Sequence, residues 1–225
     1  MENDDLESST ANIETDNKET PVKRDSNSLV LEILKTILTV GLIFIVVRYF
    51  VVQPFLVVGS SMEPNFHDGE YIFVNELLYR LGSPKRGDVV VFKHPEPDCN
   101  KHINSSFIKR NFIQGPCKNY IKRVVGLPGE MVTVANGKIN IVNTKHPEGF
   151  DLDENEYISS DIRLYGNQTE KLDKNEYYVI GDNRLPNSSS DSREWGPLSR
   201  THITGRAWLR VLPINESGFI PKPKY

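Results

Sequence analysis

The sequence predicts a mainly β domain, closed as a barrel or packed as a sandwich, carried on a single N-terminal transmembrane helix. Two observations predict it. One apolar block of about 20 residues, Ile33 to Val52, has the length an α-helix needs to cross the ~30 Å hydrocarbon core of a bilayer. Beyond Pro54 the chain breaks into short β-like runs separated by Gly, Pro, Asn and Asp, and no long helical periodicity follows.

Residues 1–28 are rich in Asp, Glu, Asn, Ser, Thr and Lys and have almost no large apolar side chains to offset ordering entropy, so they read as a disordered tail. Residues 29–52 read as the transmembrane helix. The apolar block is interrupted only by Lys35, Thr36, Thr39 and Arg48, and the two cations lie near its ends, where their stems can snorkel to headgroups. A cleaved secretory signal fits less well, because the block starts far from Met1 and no A-x-A-like site precedes Pro54. An interfacial amphipathic helix would show a polar face, and Ile37 to Val47 has none. Lys18, Lys23 and Arg24 precede the helix, whereas no Lys or Arg occurs from Val51 through Tyr79. That asymmetry places the N-terminus in the cytoplasm and residues 53–225 outside it.

The predicted strands are Phe55 to Val58, Tyr71 to Val74, Val89 to Phe92, Tyr120 to Val125, Met131 to Ala135, Lys138 to Val142, Glu176 to Ile180 and Ala207 to Leu212. Asn136-Gly137 is a strong two-residue hairpin signal. Glu76 to Leu81 is the one helical candidate after the anchor. Residues 95–116, polar and irregular, and 143–174, acidic with few apolar positions, read as insertions outside the core.

The whole chain of 225 residues suits one domain plus appendages. A formal charge of -3, with no basic stripe interleaved with aromatics, argues against a nucleic-acid partner. The two cysteines, Cys99 and Cys117, are too few for a disulfide scaffold and lack zinc-ligand spacing. Outside the cytoplasm they could form one disulfide closing a loop of ~17 residues, worth roughly 3 kcal/mol at most; two unpaired thiols are the alternative. The five histidines show no HExxH-like spacing and read as loop and surface residues, so no metal is expected.

Three stretches concentrate reactive chemistry. Val57 to Phe66 sets Ser61 behind small residues that leave room for a carbonyl to approach its hydroxyl, which needs a base to become nucleophilic. In Tyr120 to Glu130, a strand would put Tyr120, Lys122 and Val124 on one face. An ammonium desolvated between a ring and a valine loses pKa, which makes Lys122 a usable base near neutral pH. The third stretch, Gly181 to Gly196, offers the Asp191–Arg193 ion pair as a brace and serine hydroxyls to orient an amine. A turn, an edge-strand lysine and a surface loop are the plainer readings of these stretches taken singly.

Taken in order, the stretches resemble bacterial type I signal peptidases, the membrane-anchored Ser/Lys endopeptidases that remove signal peptides from exported preproteins. The resemblance runs from Pro54 to about Leu212. It covers the Gly59 to Phe66 box, Arg86-Gly87-Asp88-Val89-Val90-Val91-Phe92, Tyr120 to Glu130, and the Gly-Asp-Asn-Arg and Asp-Ser-Arg elements. It implies a signal-peptidase-like β-domain anchored as a single-pass protein of the plasma membrane. Ser61 matches the nucleophile and Lys122 the general base, with no cofactor and no metal. Ser189 matches the serine that hydrogen-bonds the lysine amine. The spacer Leu185 to Ser190 is longer than the family's, so Ser188 and Ser190 stand as alternatives. Asp191 and Arg193 match the supporting pair. Gly59 stands where some members place a second oxyanion donor, which leaves that donor to backbone or water. Val57, Met62, Phe66, Tyr120 and Ile121 match substrate-pocket positions, and their plain reading is core. The implied partners are signal peptides and the lipid bilayer. A cytosolic self-cleaving Ser/Lys repressor would carry a DNA-binding domain in front rather than a membrane helix, and an inactive β scaffold would have lost Ser61 or Lys122. The dyad requires Ser61 and Lys122 within hydrogen-bond reach, with Lys122 largely buried.

Overall fold

The computed structural model describes residues 26–46, 52–96, 99, 117–159 and 162–225. Residues 1–25 of the expected tail, 47–51 of the expected transmembrane helix with its Arg48, 97–98 and 100–116 of the first expected insertion, and 160–161 of the second lie outside the described residues. The chain divides into two units, Met1–Leu42 and Ile43–Tyr225.

Helix α1 spans Ser26–Val46, and its stretch Ser28–Ile45 is long and apolar enough to cross a membrane. It begins inside the segment assigned to the tail, because its polar first turn carries no hydrophobic signal. Thr36 and Thr39 donate to the carbonyls of Glu32 and Lys35 at 2.9 and 2.8 Å, so neither hydroxyl needs water as a partner. Val52, which the apolar count gave to the helix, instead opens strand β1 (Val52–Leu56), paired with Asn75.

The unit beyond is mainly β. Strands β2 (Tyr71–Asn75), β3 (Val89–Lys93), β4 (Asn119–Gly126), β9 (Glu176–Ile180), β10 (Leu198–Ser199) and β11 (Ile203–Leu212) join β1 in the order β1-β2-β11-β3-β4-β9-β10. Strand β12 (Gly218–Phe219) pairs with β11. A second sheet runs β7-β6-β5-β8, formed by β5 (Met131–Ala135), β6 (Lys138–Val142), β7 (Phe150–Asp151) and β8 (Gln168–Lys171). Asn136 and Gly137 take φ of 53° and 80°, the left-handed pair that a two-residue primed hairpin requires. Helix α2 (Leu77–Leu81) fills the place of the helical candidate.

Strand β3 reads as an unbroken apolar run because both of its faces are buried. Val89 and Val91 join a cluster with Val57, Met62, Phe66, Ile72, Val74 and Ala207, while Val90 and Phe92 join another with Tyr79, Val124, Tyr177, Val179 and Leu198. The short strands β7, β8, β10 and β12 escaped prediction, since segments of two to four residues carry no usable alternation.

Two expectations are corrected. Residues 143–174 are not peripheral: they supply β7 and β8, and Leu152, Leu164 and Leu172 enter the core of the second sheet with Val132, Ile139 and Tyr178. Their apolar residues are sparse because each seals the core singly rather than by period. His202 is buried, with Nδ1 at 2.9 Å from the Lys93 carbonyl, rather than a surface residue. The cysteines are joined: Cys99 and Cys117 form a disulfide with Cα atoms 5.0 Å apart.

If residues 143–174 are part of the core, then Leu172→Ala, at a site 2% exposed, should cost about 2–5 kcal/mol and lower Tm by roughly 5–15 °C. A thermal melt checks this against Lys171→Ala at the neighbouring exposed position. A shift below about 1 °C for Leu172→Ala would return the segment to the status of an insertion.

Candidate active site

The turn carrying Ser61 is pinned from below and from both sides. Met62 and Phe66 are each 1% exposed and plug the core beneath it. The Val57 amide donates to the Glu70 carbonyl at 2.8 Å, the Gly69 amide to the Val57 carbonyl at 3.0 Å, and the amides of Asn65 and Phe66 both reach the Met62 carbonyl. Gly59 sits at φ +87°, where an L side chain is strained, and its amide donates to Asp68 Oδ1 at 2.6 Å. Its place is therefore structural: it lets the chain bend out of β1 into the turn.

Lys122 lies on β4 opposite Val90 of β3 and is 3% exposed. Its Nζ is 2.7 Å from Ser61 Oγ and 2.8 Å from the Ile121 carbonyl, and 5.6 Å from the centre of the Tyr120 ring. The reach and burial that the dyad requires are both present. Burial pushes the amine down to about 8; Asp191 and then Asp182 pull it back up, and Arg193 adds to the lowering.

The loop after β9 holds both carboxylates. Asp191 is fully buried and accepts from Arg193 Nε and Nη2 at 2.8 and 2.7 Å, from the Gly181 amide at 3.0 Å and from Ser189 Oγ at 2.7 Å. Burial works against its ionisation, but the Arg193 fork and these hydrogen bonds outweigh it and hold the carboxyl below the usual range. Ser189 Oγ donates to Asp191 Oδ2, and among the described residues the hydrogen bonds of Lys122 Nζ go to Ser61 and Ile121 rather than to Ser189. Ser188 bonds the carbonyls of Asn183 and Leu185, and Ser190 lines the cleft beside Lys122.

Several residues the sequence did not single out complete the arrangement. Arg123 grips Asp182 through two hydrogen bonds of 2.8 and 2.6 Å, with both side chains buried. Asn65 Nδ2 donates to Asp182 Oδ2 at 2.8 Å. Asn183 donates from its amide to the Ser61 carbonyl at 3.1 Å and from Nδ2 to the Ser60 carbonyl at 3.0 Å, tying the loop onto the Ser61 turn. Gly181 allows that approach, since a Cβ there would fall inside contact distance of both Ser189 Oγ and the Ser61 carbonyl. The Gly-Asp-Asn-Arg run was the available signal; which atom each residue serves depends on the fold.

A cleft of about 250 Å³ opens on Ser61 and Lys122, walled by Phe55, Leu56, Val57, Val58, Ile72, Val91, Asn119, Tyr120 and Ile121. Of the residues matched to pocket positions, Val57, Tyr120 and Ile121 line it. Met62 and Phe66 do not: their side chains turn inward from the Ser61 turn to anchor it. Among the described residues the one cluster with metal-ligand types is His67, Glu70 and Glu216. Arg210 lies 2.9 Å from Glu70 Oε2 and 3.2 Å from Glu216 Oε2, supplying the positive charge a cation would bring.

A mainly β domain thus presents the Ser61 hydroxyl to the buried Lys122 amine at an apolar cleft. Residues 30–212 match the family described as signal peptidase, peptidase S26. The chain belongs to that family. It is 32% identical to the probable signal peptidase I-2 of Synechocystis over 90% of this chain and 84% of that one. It is 34% identical to signal peptidase I T of Bacillus subtilis over 89% of this chain and 94% of that one. A crystal structure of a signal peptidase I from Enterococcus faecalis aligns at 23% identity and a TM-score of 0.36, covering 56% of this chain and 97% of that one.

Gly181→Ala should lower peptidase kcat/KM about 100-fold, because the added methyl must displace the Ser61 backbone or Ser189. Steady-state kinetics on a precursor peptide measure it, and near-normal activity would mean that the loop yields without moving Ser61.

Proposed function

We propose that the chain is a membrane-anchored serine endopeptidase that removes N-terminal signal peptides from exported preproteins, with Ser61 as nucleophile and Lys122 as general base. The observation that carries the reading is the 2.7 Å contact between Lys122 Nζ and Ser61 Oγ, with the amine buried. An ordinary lysine with a pKa of 10.5 is neutral in roughly one molecule in three thousand at pH 7, and one near 8 in roughly one in ten. Burial therefore raises the population of the working base by more than two orders of magnitude.

In the cycle, neutral Lys122 takes the Ser61 proton as Oγ attacks the scissile carbonyl. The ammonium then protonates the departing amine as the C–N bond breaks, leaving an acyl-enzyme. Water, deprotonated by the again neutral Lys122, adds to the ester carbonyl and restores Ser61. The Ser61 amide has no protein acceptor among the described residues and supplies one oxyanion donor, with the second left to backbone or water. No metal or cofactor enters any step. Asp191 with Arg193, and Asp182 with Arg123, support the site without touching the reacting atoms.

The substrate lies extended in the apolar cleft and pairs with sheet backbone beside Val57, Tyr120 and Ile121. Small side chains, such as alanine, fit its first and third positions before the cut. Helix α1 anchors the chain as a single span of the plasma membrane, with the N-terminus cytoplasmic and the β domain outside. The Cys99–Cys117 disulfide supports that side, because such bonds persist in oxidising compartments.

Detergent-solubilised protein should process a secreted precursor, and Ser61→Ala and Lys122→Ala should each abolish processing while circular dichroism stays unchanged. Processing that survives either substitution would falsify the dyad. The acid limb of kcat/KM should lie near pH 8, falling about tenfold per pH unit below it as Lys122 takes up its proton. A limb near pH 6 would point to a histidine in place of Lys122.

A further inference from the structure

Two segments to which the sequence gives no role, residues 143–174 and those after Leu212, meet behind the Ser61 turn. Tyr157 stands at their junction and is 9% exposed. Its carbonyl accepts from Asn65 Nδ2 at 2.9 Å, the same amide that donates to Asp182. Its ring lies against the Arg123 guanidinium, 4.1 Å from centroid to Cζ, on the group that grips Asp182. Its hydroxyl donates to Glu154 Oε1 at 2.6 Å and accepts from the Tyr225 hydroxyl at 3.0 Å.

Both of those partners are themselves held. Glu154 takes a bidentate contact from Arg184 at 2.7 and 2.6 Å, and Arg184 Nε returns to the Gly181 carbonyl at 2.8 Å. Tyr225 packs with Pro223 on Gly87, where a Cβ would meet both at 2.9 Å, and the Gly87 carbonyl accepts from Arg123 at 3.1 Å. The closed ring of contacts thus ties residues 220–225, beyond the stretch that matches the family, to the underside of the catalytic turn.

We infer that Tyr157, locked by Glu154 and Tyr225, is a positioning residue for the Ser61–Lys122 pair: it fixes the nucleophile turn through Asn65 and the Arg123–Asp182 pair through its ring. The inference rests on the roles proposed above for Ser61 and Lys122. The ring and the Asp182 carboxylate together fix the guanidinium's plane and position. Without the ring, Arg123 tilts, Asp182 is less completely neutralised, and its field on the Lys122 amine grows. Asp191, paired with Arg193, is the other carboxylate acting on that amine, and it joins this ring of contacts at Gly181, whose amide donates to it at 3.0 Å.

The test is steady-state kinetics across pH on a precursor peptide for Tyr157→Leu, Tyr157→Phe and Asn65→Ala. Tyr157→Leu should lower kcat about tenfold with KM held, and should move the acid limb of kcat/KM to higher pH. Tyr157→Phe keeps the ring and the carbonyl and should recover most of kcat with the limb in place. Asn65→Ala, which leaves the tyrosine intact, should lower kcat by a similar factor. Wild-type kcat and pH dependence in Tyr157→Leu would overturn the inference, as would equal losses in the Leu and Phe variants with an unmoved limb. Should Tyr157→Leu fail to fold, wild-type kcat in Asn65→Ala overturns it instead. Ser61→Ala run alongside separates the two readings: processing that survives it removes the proposed nucleophile and with it the pair Tyr157 would position, whereas wild-type kcat in Tyr157→Leu with Ser61→Ala inactive removes the role of Tyr157 alone.

Discussion

An amine can serve as a base near neutral pH only where water is kept from it and no bare negative charge sits nearby, and the architecture around Lys122 answers to both demands. Burial supplies the first. The second is harder, because the loop that braces the site brings in Asp191 and Asp182, and either carboxylate, left unpaired, would hold the lysine protonated. Each is answered by an arginine in a two-bond contact, Arg193 for Asp191 and Arg123 for Asp182. The carboxylates can then organise the backbone of the loop without dominating the field at Nζ. Removing one arginine would leave a buried charge uncompensated, which costs far more than the pair contributes.

The geometry depends as much on backbone as on charge. Three stretches far apart in the chain meet because β4 pairs with β9, which brings in the loop after it, and with β3, whose Val89 and Val91 pack against Val57, Met62 and Phe66 of the Ser61 turn. Met62 and Phe66 fix the turn to the core, and Asn183 ties the loop to the carbonyls of Ser60 and Ser61. Gly59 and Gly181 provide a bend and a close approach that no side chain would allow. The hydroxyl and the amine are thus held by elements that have little freedom of their own, which is the condition for proximity to accelerate a reaction.

The match of residues 30–212 to the S26 signal peptidases accounts for the elements that carry Ser61 and Lys122. It leaves residues 213–225 aside, yet Pro223 and Tyr225 pack on Gly87 and Tyr157 within the same network. A segment that looks like a trailing appendage is therefore integrated with the site's support. Residues 143–174, thin in apolar residues, contribute Leu152, Leu164 and Leu172 to the second sheet's core and Glu154 and Tyr157 to that network.

Hydrophobic pattern and turn chemistry by themselves determined the apolar helix, the end of β1 at Phe55 and Leu56, the strands β2 to β6 and β9, the Ala207 to Leu212 part of β11 and the Asn136-Gly137 hairpin, because each is encoded by neighbours in the chain. The resemblance carried by the ordered motifs marked Ser61 and Lys122 as candidates. Only the tertiary structure decided that Met62 and Phe66 face the core rather than the cleft, that Ser189 bonds Asp191 rather than Lys122, and that the two cysteines are joined. It alone paired Arg123 with Asp182 and set Tyr157 beneath the turn. The reason is physical: a side chain's partner is fixed by which long-range surfaces close over it, and burial, which sets both the core and the lysine's proton affinity, is a property of that closure rather than of any local run of residues.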